Sequence, residues 1–302
     1  MQMSASQWLL LGFLSILWGG SFFFVAVALE ELPPFTVVAA RLTIAAVILA
    51  ALVAALRLRW PSGASEWAAF AVMAILNNVI PFTLIAHGQQ QITSGLASVL
   101  NATTPLASVL LAHLLTADEK LTARRLAGVL LGIAGVAVLA GPEAFAGRSA
   151  SVLGMLCVLG ATVSYALSGI WGRRFKDTPP VVAAGCQLVC SALIILPVAL
   201  LIDRPWHLPA PSMTVVAALL GLAALSTSLA YVGFFRVLAV SGATNVMLVT
   251  LLVPVNAILL GTGLLGEEFA LRHAAGALLI GAALVTIDGR VLAWLLAAWR
   301  QS

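Results

Sequence analysis

Charge is what this sequence has little of. Aspartate, glutamate, lysine and arginine together make up 9% of its 302 residues, whereas soluble domains carry about 25%. A surface that faces water on all sides cannot be built from so few charges. Hydrophobic residues make up 62% of the chain, which predicts an integral membrane protein in contact with a lipid bilayer. The formal net charge of +4 does not indicate a nucleic-acid partner, because the basic residues lie in short loops between apolar segments.

The apolar segments also lack the groups that catalysis and proton pumping need. The acidic residues lie only at the edges of these segments and no Lys falls within them, which argues against a carboxylate-driven pump and against hydrolytic or metal chemistry. Cys157, Cys186 and Cys190 lie in apolar segments without a nearby histidine or carboxylate, so we interpret them as packing residues. The sequence therefore predicts a protein that is not an enzyme and that has neither a cofactor nor a metal.

What the sequence does contain is ten apolar segments, each about as long as the 20 residues that cross a bilayer. Proline and glycine mark the breaks between them. A double proline opens the second segment of each half of the chain, at Pro33-Pro34 and Pro179-Pro180. The ten segments cover approximately residues 7–29, 34–56, 66–88, 94–116, 121–140, 151–173, 179–202, 212–236, 242–264 and 270–289.

The stretch from residue 94 to residue 139 occurs twice in the chain, and this indicates an internal duplication. The spacing between the matched prolines and the matched acidic turns is fourteen residues in both copies. We predict two five-helix repeats, residues 1–145 and 146–302. The matched positions are Ser94-Gly95 and Ser241-Gly242, Pro105 and Pro254, Glu119 and Glu268, and Gly132 and Gly281.

The distribution of Lys and Arg predicts how the chain is oriented in the membrane. With the N-terminus inside the cell, eleven of these residues lie on the cytoplasmic side and three on the other side. This excess satisfies the positive-inside rule and places both termini in the cytoplasm. Because five is an odd number, the second half enters the membrane from the opposite side. Inverted repeats are typical of secondary transporters, whose substrate site lies between the halves near the midplane.

Several short motifs lie along the chain, and their order and spacing together are more specific than any one of them alone. They are Leu17-Trp18-Gly19-Gly20-Ser21, Pro33-Pro34 with Arg41, Asp118-Glu119 before Gly128 and Gly132, and Glu267-Glu268 before Gly276 and Gly281. In these residues the chain resembles the drug/metabolite transporter superfamily in its EamA-type branch, over nearly its whole length. Within that branch it looks most like the YddG-type exporters of amino acids. Gln187 departs from the pattern, because the repeat would place an arginine there to match Arg41.

Polar uncharged residues within the segments are the candidates for substrate binding, since an unpaired polar group in lipid costs several kcal/mol. They come from the first, third and fourth segments of each half, as a cavity between two repeats would require. The alternative is that they only join helices by hydrogen bonds. The candidates are Trp18, Asn77, Asn78, His87, Asn101, Ser164, Tyr165, Tyr231, Asn245 and Asn256.

Two of the segment residues have a second interpretation. His87 is either a gate or substrate contact, or a histidine at the level of the lipid headgroups. Arg41 either extends outward to lipid phosphates or, as the resemblance implies, faces the protein and pairs with backbone carbonyls or with Glu30-Glu31. We expect a structural role for Arg41. We expect structural roles also for Pro105 and Pro254, which free backbone carbonyls, and for Gly132 and Gly281, which allow close helix packing.

The resemblance and the residues lead to one functional expectation. The chain is expected to export a small molecule across the bacterial inner membrane by alternating access, as a multi-pass transporter. A cavity of aromatic, amide and hydroxyl groups without fixed charge suits aromatic or neutral amino acids. The alternatives are export of other small metabolites or drugs and, from different classes, an intramembrane enzyme or a membrane scaffold. The sequence leaves the oligomeric state open.

Overall fold

The computed structural model describes residues 5–116, 121–140, 150–234 and 249–288, and within these ranges the chain is helical and forms no strand. Its α-helices, numbered here in chain order, are α1 Ala5–Leu29, α2 Pro34–Ala55, α3 Ala64–Ala74, α4 Ile80–Gln89, α5 Ser94–Asn101, α6 Thr104–Leu115, α7 Ala123–Ala140, α8 Ala150–Gly172, α9 Pro180–Ile202, α10 Met213–Ala223, α11 Val249–Leu264 and α12 Leu271–Asp288.

Seven helical segments are long and apolar enough to cross a membrane. They are Leu9–Leu29, Pro34–Ala55, Ala64–Gln89, Ser94–Leu115, Ser151–Phe175, Pro180–Ile202 and Met213–Phe234. The remaining three predicted segments contain α7 and the shorter apolar stretches Leu252–Leu264 and Leu271–Ile287. The predicted all-helical membrane fold is thus confirmed. The count of ten spans and the cytoplasmic termini stay predictions.

A π-helical segment interrupts the third predicted segment of each half. Ile75–Val79 joins α3 to α4, and Ala224–Leu229 follows α10. The helices before these π segments, α3 and α10, are both eleven residues long. Counting from their first residues aligns Asn78 with Thr227, so the two interruptions occupy equivalent positions in the two halves. The wider π turn is a feature found frequently at functional sites.

The fourth predicted segment, 94–116, consists of two α-helices, α5 and α6, which together form one of the seven segments long enough to cross a membrane. The chain leaves the α-helix after Asn101 and resumes it at Thr104. Pro105 explains the break, because it has no N–H to donate and its ring excludes a preceding helical turn. The Thr103 and Thr104 hydroxyls donate to the carbonyls of Leu100 and Asn101, each at 2.7 Å. Pro254, in contrast, lies inside the continuous helix α11.

The second helices of the two halves pack against each other and run in opposite directions. At one end, the backbone N–H and the hydroxyl of Thr36 donate to the Asp203 carboxylate at 2.6 and 2.8 Å. Near the other end, Gly185 at the start of α9 faces Val53 and Trp60. Each of the two helices therefore begins beside the end of the other, so α2 and α9 are antiparallel.

Two glutamate carboxylates accept hydrogen bonds at the starts of other helices, α5 and α10. The Glu267 carboxylate accepts hydrogen bonds from the Ser94 N–H at 2.7 Å, the Ser94 hydroxyl at 2.9 Å and the Gly95 N–H at 3.1 Å. It thereby satisfies free N–H groups at the start of α5. Glu31 accepts from the Ser212 N–H at 2.7 Å, and hydrogen bonds from Ser212 hold the pKa of the Glu31 carboxyl below its usual value.

The last helices of the two halves, α7 and α12, form a second antiparallel contact. A Cβ atom at Gly128 would lie 2.5 Å from the Ile287 side chain and 2.9 Å from the Ala283 carbonyl oxygen. The Gly132 position faces Leu106 on α6, so its close approach is to a different helix. A Cβ atom at Gly281 would meet nothing within 4 Å, and the close packing expected there is absent at that residue.

The same substitution at two of these glycines should have opposite consequences. Gly128→Ala overpacks the α7–α12 contact and should lower the unfolding free energy by about 1 to 3 kcal/mol. Gly281→Ala should leave stability unchanged or raise it by up to about 1 kcal/mol, since alanine is the better helix former. Thermal unfolding of both purified variants in detergent measures the difference. Equal melting temperatures would show that α7 and α12 are not packed as described.

Candidate functional site

Polar side chains from α2, α8, α9 and the two π-helical regions meet inside the protein, and we refer to them as the central cluster. The local sequence favours the second π segment, because two of its hydroxyl groups donate hydrogen bonds to backbone carbonyls. Thr227 and Ser228 donate to the carbonyls of Leu222 and Ala223, five residues earlier, at 2.8 and 2.9 Å. The cluster comprises Arg41, Asn77, Asn78, Phe82, Ser168, Gln187, Ser191, Thr227 and Tyr231.

Asn78 connects most members of the cluster and is fully buried. Its amide nitrogen donates to the Ser191 hydroxyl at 2.8 Å. Its amide oxygen accepts from Gln187 Nε2 at 2.9 Å and from the Tyr231 hydroxyl at 3.0 Å. One side chain thus joins the third segment of the first half to two segments of the second half.

Helix α8 is joined to the first π segment by hydroxyl groups. Ser168 donates to the Asn77 amide oxygen at 3.0 Å, and Asn77 in turn donates to the Tyr231 hydroxyl at 3.2 Å. Ser164, one turn earlier on α8, donates to the Leu76 carbonyl at 2.7 Å. The candidates Asn77, Asn78, Ser164 and Tyr231 are therefore brought together.

Arg41 faces the protein interior and not the lipid headgroups. Its Nε donates to the Thr227 hydroxyl at 2.9 Å, and its guanidinium carbon lies 3.6 Å from the centre of the Phe82 ring. A cation over an aromatic face is attracted by the negative potential of the ring. The backbone carbonyls and the Glu30-Glu31 corner that we expected as partners are replaced by a hydroxyl and an aromatic ring.

The two halves place different chemistry at equivalent positions. The double prolines align Arg41 with Gln187, and the starts of α3 and α10 align Asn78 with Thr227 and Phe82 with Tyr231. Arg41 contacts Thr227 and Phe82, and Gln187 donates to Asn78 and to the Tyr231 hydroxyl, the latter at 3.2 Å. The same pair of contacts therefore occurs twice, once with a charge and once without.

Other candidates lie around the cluster. Trp18 and Tyr165 are half-buried, and the Trp18 ring centre is 5.7 Å from that of Phe234. Tyr165 packs against two large clusters of buried apolar side chains. Asn256 donates to the Ser15 hydroxyl at 2.9 Å. Asn245 lies outside the described residues.

His87 is held near the end of α4. Its Nδ1 lies 2.8 Å from the Thr83 carbonyl oxygen, and its ring meets the Phe35 ring edge-on with the centres 5.1 Å apart. The neighbouring Gly88 approaches the backbone of α8 at Gly154. Within the described part of the chain, neither a hydrogen bond nor a ring contact links His87 to a polar member of the central cluster.

Five buried side-chain oxygens have no hydrogen-bond partner among the described residues. They are the amide oxygen of Asn101 at the break between α5 and α6, the hydroxyl of Ser226 in the second π segment, and oxygens of Thr43, Thr83 and Gln89. Buried polar atoms are nearly always paired, so each unpaired one is a place where a ligand or a water molecule would bind. Asn101 is the one asparagine among the described candidates whose buried amide oxygen has no partner there.

A separate concavity of about 400 Å³ opens at the ends of α4, α8 and α12, away from the cluster. It is lined by Gln89, Gln90, Gln91, Ile92, Thr93, Leu96, Ser151, Met155, Arg272 and His273. In the described ranges no group of three or more His, Cys, Asp or Glu residues has a geometry for a metal ion.

The sequence reasoning missed three members of the cluster. Phe82 lies outside the duplicated stretch that begins at Ser94, and its equivalence to Tyr231 follows only from the matched helices α3 and α10. Ser168 and Ser191 had no signal that distinguished them from other serines in apolar helices. The sequence distinguished Gln187 only as a departure from the family pattern, although its side chain donates a hydrogen bond to Asn78.

Comparisons with known proteins agree with this architecture. The model of the EamA-like transporter family matches the chain twice, over residues 6–141 and 152–287. YoaV of Bacillus subtilis, named an uncharacterized transporter, is 26% identical over 276 residues, which cover 90% of this chain and 93% of YoaV. YedA of Escherichia coli, named an uncharacterized inner membrane transporter, is 28% identical over 287 residues, covering 91% of this chain and 88% of YedA.

A solved crystal structure shares the fold over 97% of this chain and 99% of its own length, with a TM-score of 0.65 and 22% identity. The names of the relatives indicate a transporter, which is not an enzyme. Since the family model matches both halves, the protein is a multi-pass membrane protein that belongs to the EamA-like transporter family.

Proposed function

We propose that this protein is a secondary carrier that exports small metabolites, above all aromatic or neutral amino acids, across the bacterial inner membrane by alternating access. The observation that carries the proposal is the central cluster. It joins the two halves through equivalent contacts, Arg41 to Thr227 in one direction and Gln187 to Asn78 in the other. A polar junction between two repeats is where transporters of this architecture bind their substrates.

The proposal includes the inverted topology. Counterpart helices α2 and α9 run in opposite directions, as do α7 and α12, which supports a second half inserted the other way up. The excess of Lys and Arg in alternate loops supports ten spans with cytoplasmic termini. The two family matches support the division into residues 1–145 and 146–302.

The proposed binding residues supply aromatic and amide groups. Offset stacking against Trp18, Tyr165 or Tyr231 would hold an aromatic side chain. The unpaired amide oxygen of Asn101 would accept a hydrogen bond from a substrate ammonium group. Asn77, Asn78 and Ser164 bond within the protein, so we assign them to the structure of the site and its rearrangement during transport.

Uptake into proteoliposomes tests the proposal. Labelled tryptophan and phenylalanine would be compared with lysine and glutamate, with and without a pH gradient. We expect saturable flux of the aromatic pair that exceeds the flux of the charged pair. Protein-free liposomes provide the control. Flux of all four amino acids at the protein-free level would contradict the proposed substrate class.

A further inference from the structure

Arg41 is the only charged side chain among the described residues that is buried, with 7% of its surface exposed. Its Nε bonds Thr227, and one face of the guanidinium group lies on Phe82. Nothing else in the described part of the chain bonds its two Nη groups, and none of the described carboxylates pairs with it. The two Nη groups are thus a planar fork of donors without an acceptor among the described residues.

Burying the Arg41 charge is unfavourable for the folding free energy of the protein. Taking a guanidinium group out of water has a large desolvation cost, which an opposite charge normally offsets. A neutral hydroxyl and an aromatic ring offset only part of it.

The fold itself shows that this position does not require a charge. Gln187 occupies the equivalent position of the other half and makes the equivalent contacts as a neutral amide. Helix packing therefore does not explain why Arg41 is an arginine, and a binding role does.

We propose that Arg41 binds the carboxylate of the transported molecule, so that the substrates are small metabolites with a free carboxyl group. The two Nη groups match the two oxygens of a carboxylate in a bidentate hydrogen bond. The Tyr165 hydroxyl also has no hydrogen-bond partner in the described ranges. The assignment rests on the proposed transport function, and it replaces the structural role expected from the sequence.

Matched ligand pairs test the inference on the wild-type protein. Phenylalanine would be compared with phenylalaninamide, and tryptophan with tryptamine, as competitors of labelled tryptophan uptake and as stabilisers in thermal unfolding. Loss of a charge-assisted hydrogen bond predicts that each carboxylate acts at about ten- to hundredfold lower concentration than its partner. Equal potency within both pairs would overturn the inference.

Arg41→Gln then tests the residue, and Gln187 indicates that the variant should fold. We expect it to lose the preference for the carboxylate and to retain a melting temperature at or above that of the wild type, because an unpaired buried charge is removed. Arg204→Gln, at an exposed loop position, removes an arginine outside the cluster and should keep the preference. An Arg41→Gln variant that keeps the full preference would overturn the assignment.

The two proposals fail separately. If amino acids are transported but their amides and amines compete equally well, the transport proposal stands and the carboxylate inference falls. If no amino acid is transported, phenylacetate and phenylacetamide replace them in thermal unfolding. Stabilisation by phenylacetate alone, lost in Arg41→Gln, would then support the inference without an amino-acid substrate. Stabilisation by neither compound, together with collapse of Arg41→Gln, would give Arg41 a purely structural role and overturn it.

Discussion

Asn78→Leu is expected to lower the unfolding free energy by about 3 kcal/mol. Leucine has the same branched skeleton and the same number of non-hydrogen side-chain atoms but removes three hydrogen bonds, those to Ser191, Gln187 and Tyr231, at about 1 kcal/mol each. Because Asn78 is fully buried, water does not replace the lost partners. We expect a low yield of monodisperse protein and a melting temperature well below that of the wild type, measured by thermal unfolding in detergent.

A graded control identifies the cause. Ser191→Ala removes one of the three hydrogen bonds, and Ser191 also donates to the Gln187 carbonyl at 2.7 Å, so this variant should lose about 1 to 2 kcal/mol. Its melting temperature should lie between those of the wild type and Asn78→Leu. If Asn78→Leu unfolds at the wild-type temperature, the central cluster does not hold the two halves together.

Asn101→Leu, the same chemical exchange, is expected to abolish transport and to leave the protein stable. The amide oxygen of Asn101 is buried without a partner among the described residues, so leucine removes an unsatisfied atom and breaks no hydrogen bond there. The unfolding free energy should stay the same or rise by about 1 kcal/mol. Labelled tryptophan uptake into proteoliposomes should fall to the protein-free level.

The two asparagine variants distinguish a structural residue from a binding residue by the same pair of measurements. Asn78→Leu should fail in stability, and Asn101→Leu should fail in flux alone. Wild-type uptake by a folded Asn101→Leu protein would remove Asn101 from the binding site. A strong loss of stability would show instead that its side chain is paired within the protein.

Much of the fold was predictable, because hydropathy and proline positions can be read directly from the amino-acid sequence. Each predicted segment contains a helix in the described ranges, and both double prolines stand at the start of a helix, α2 and α9. The duplication was visible in the spacing of Pro105 and Pro254, and the family model matches the chain twice.

The contacts between segments were not predictable in the same way, since they depend on how each helix is rotated and shifted against its neighbours. Nothing in the sequence places Thr227 next to Arg41, 186 residues away. Gly132 and Gly281 are equivalent in the repeat, yet only the first meets a neighbouring helix. Pro105 and Pro254 are equivalent as well, and only the first ends a helix, where threonine hydroxyls are available to cap the freed carbonyls.

The antiparallel contacts of α2 with α9 and of α7 with α12 bear on the ancestry of the chain. Because each helix touches its own counterpart, two identical five-helix chains inserted in opposite orientations would make the same contacts. Such a dimer would carry one residue type at positions 41 and 187, either two neighbouring buried guanidinium groups that repel each other or none. A single chain that contains both halves is free of this constraint. Here one position is an arginine and the other a glutamine, so Arg41 is the single buried charge among the described residues.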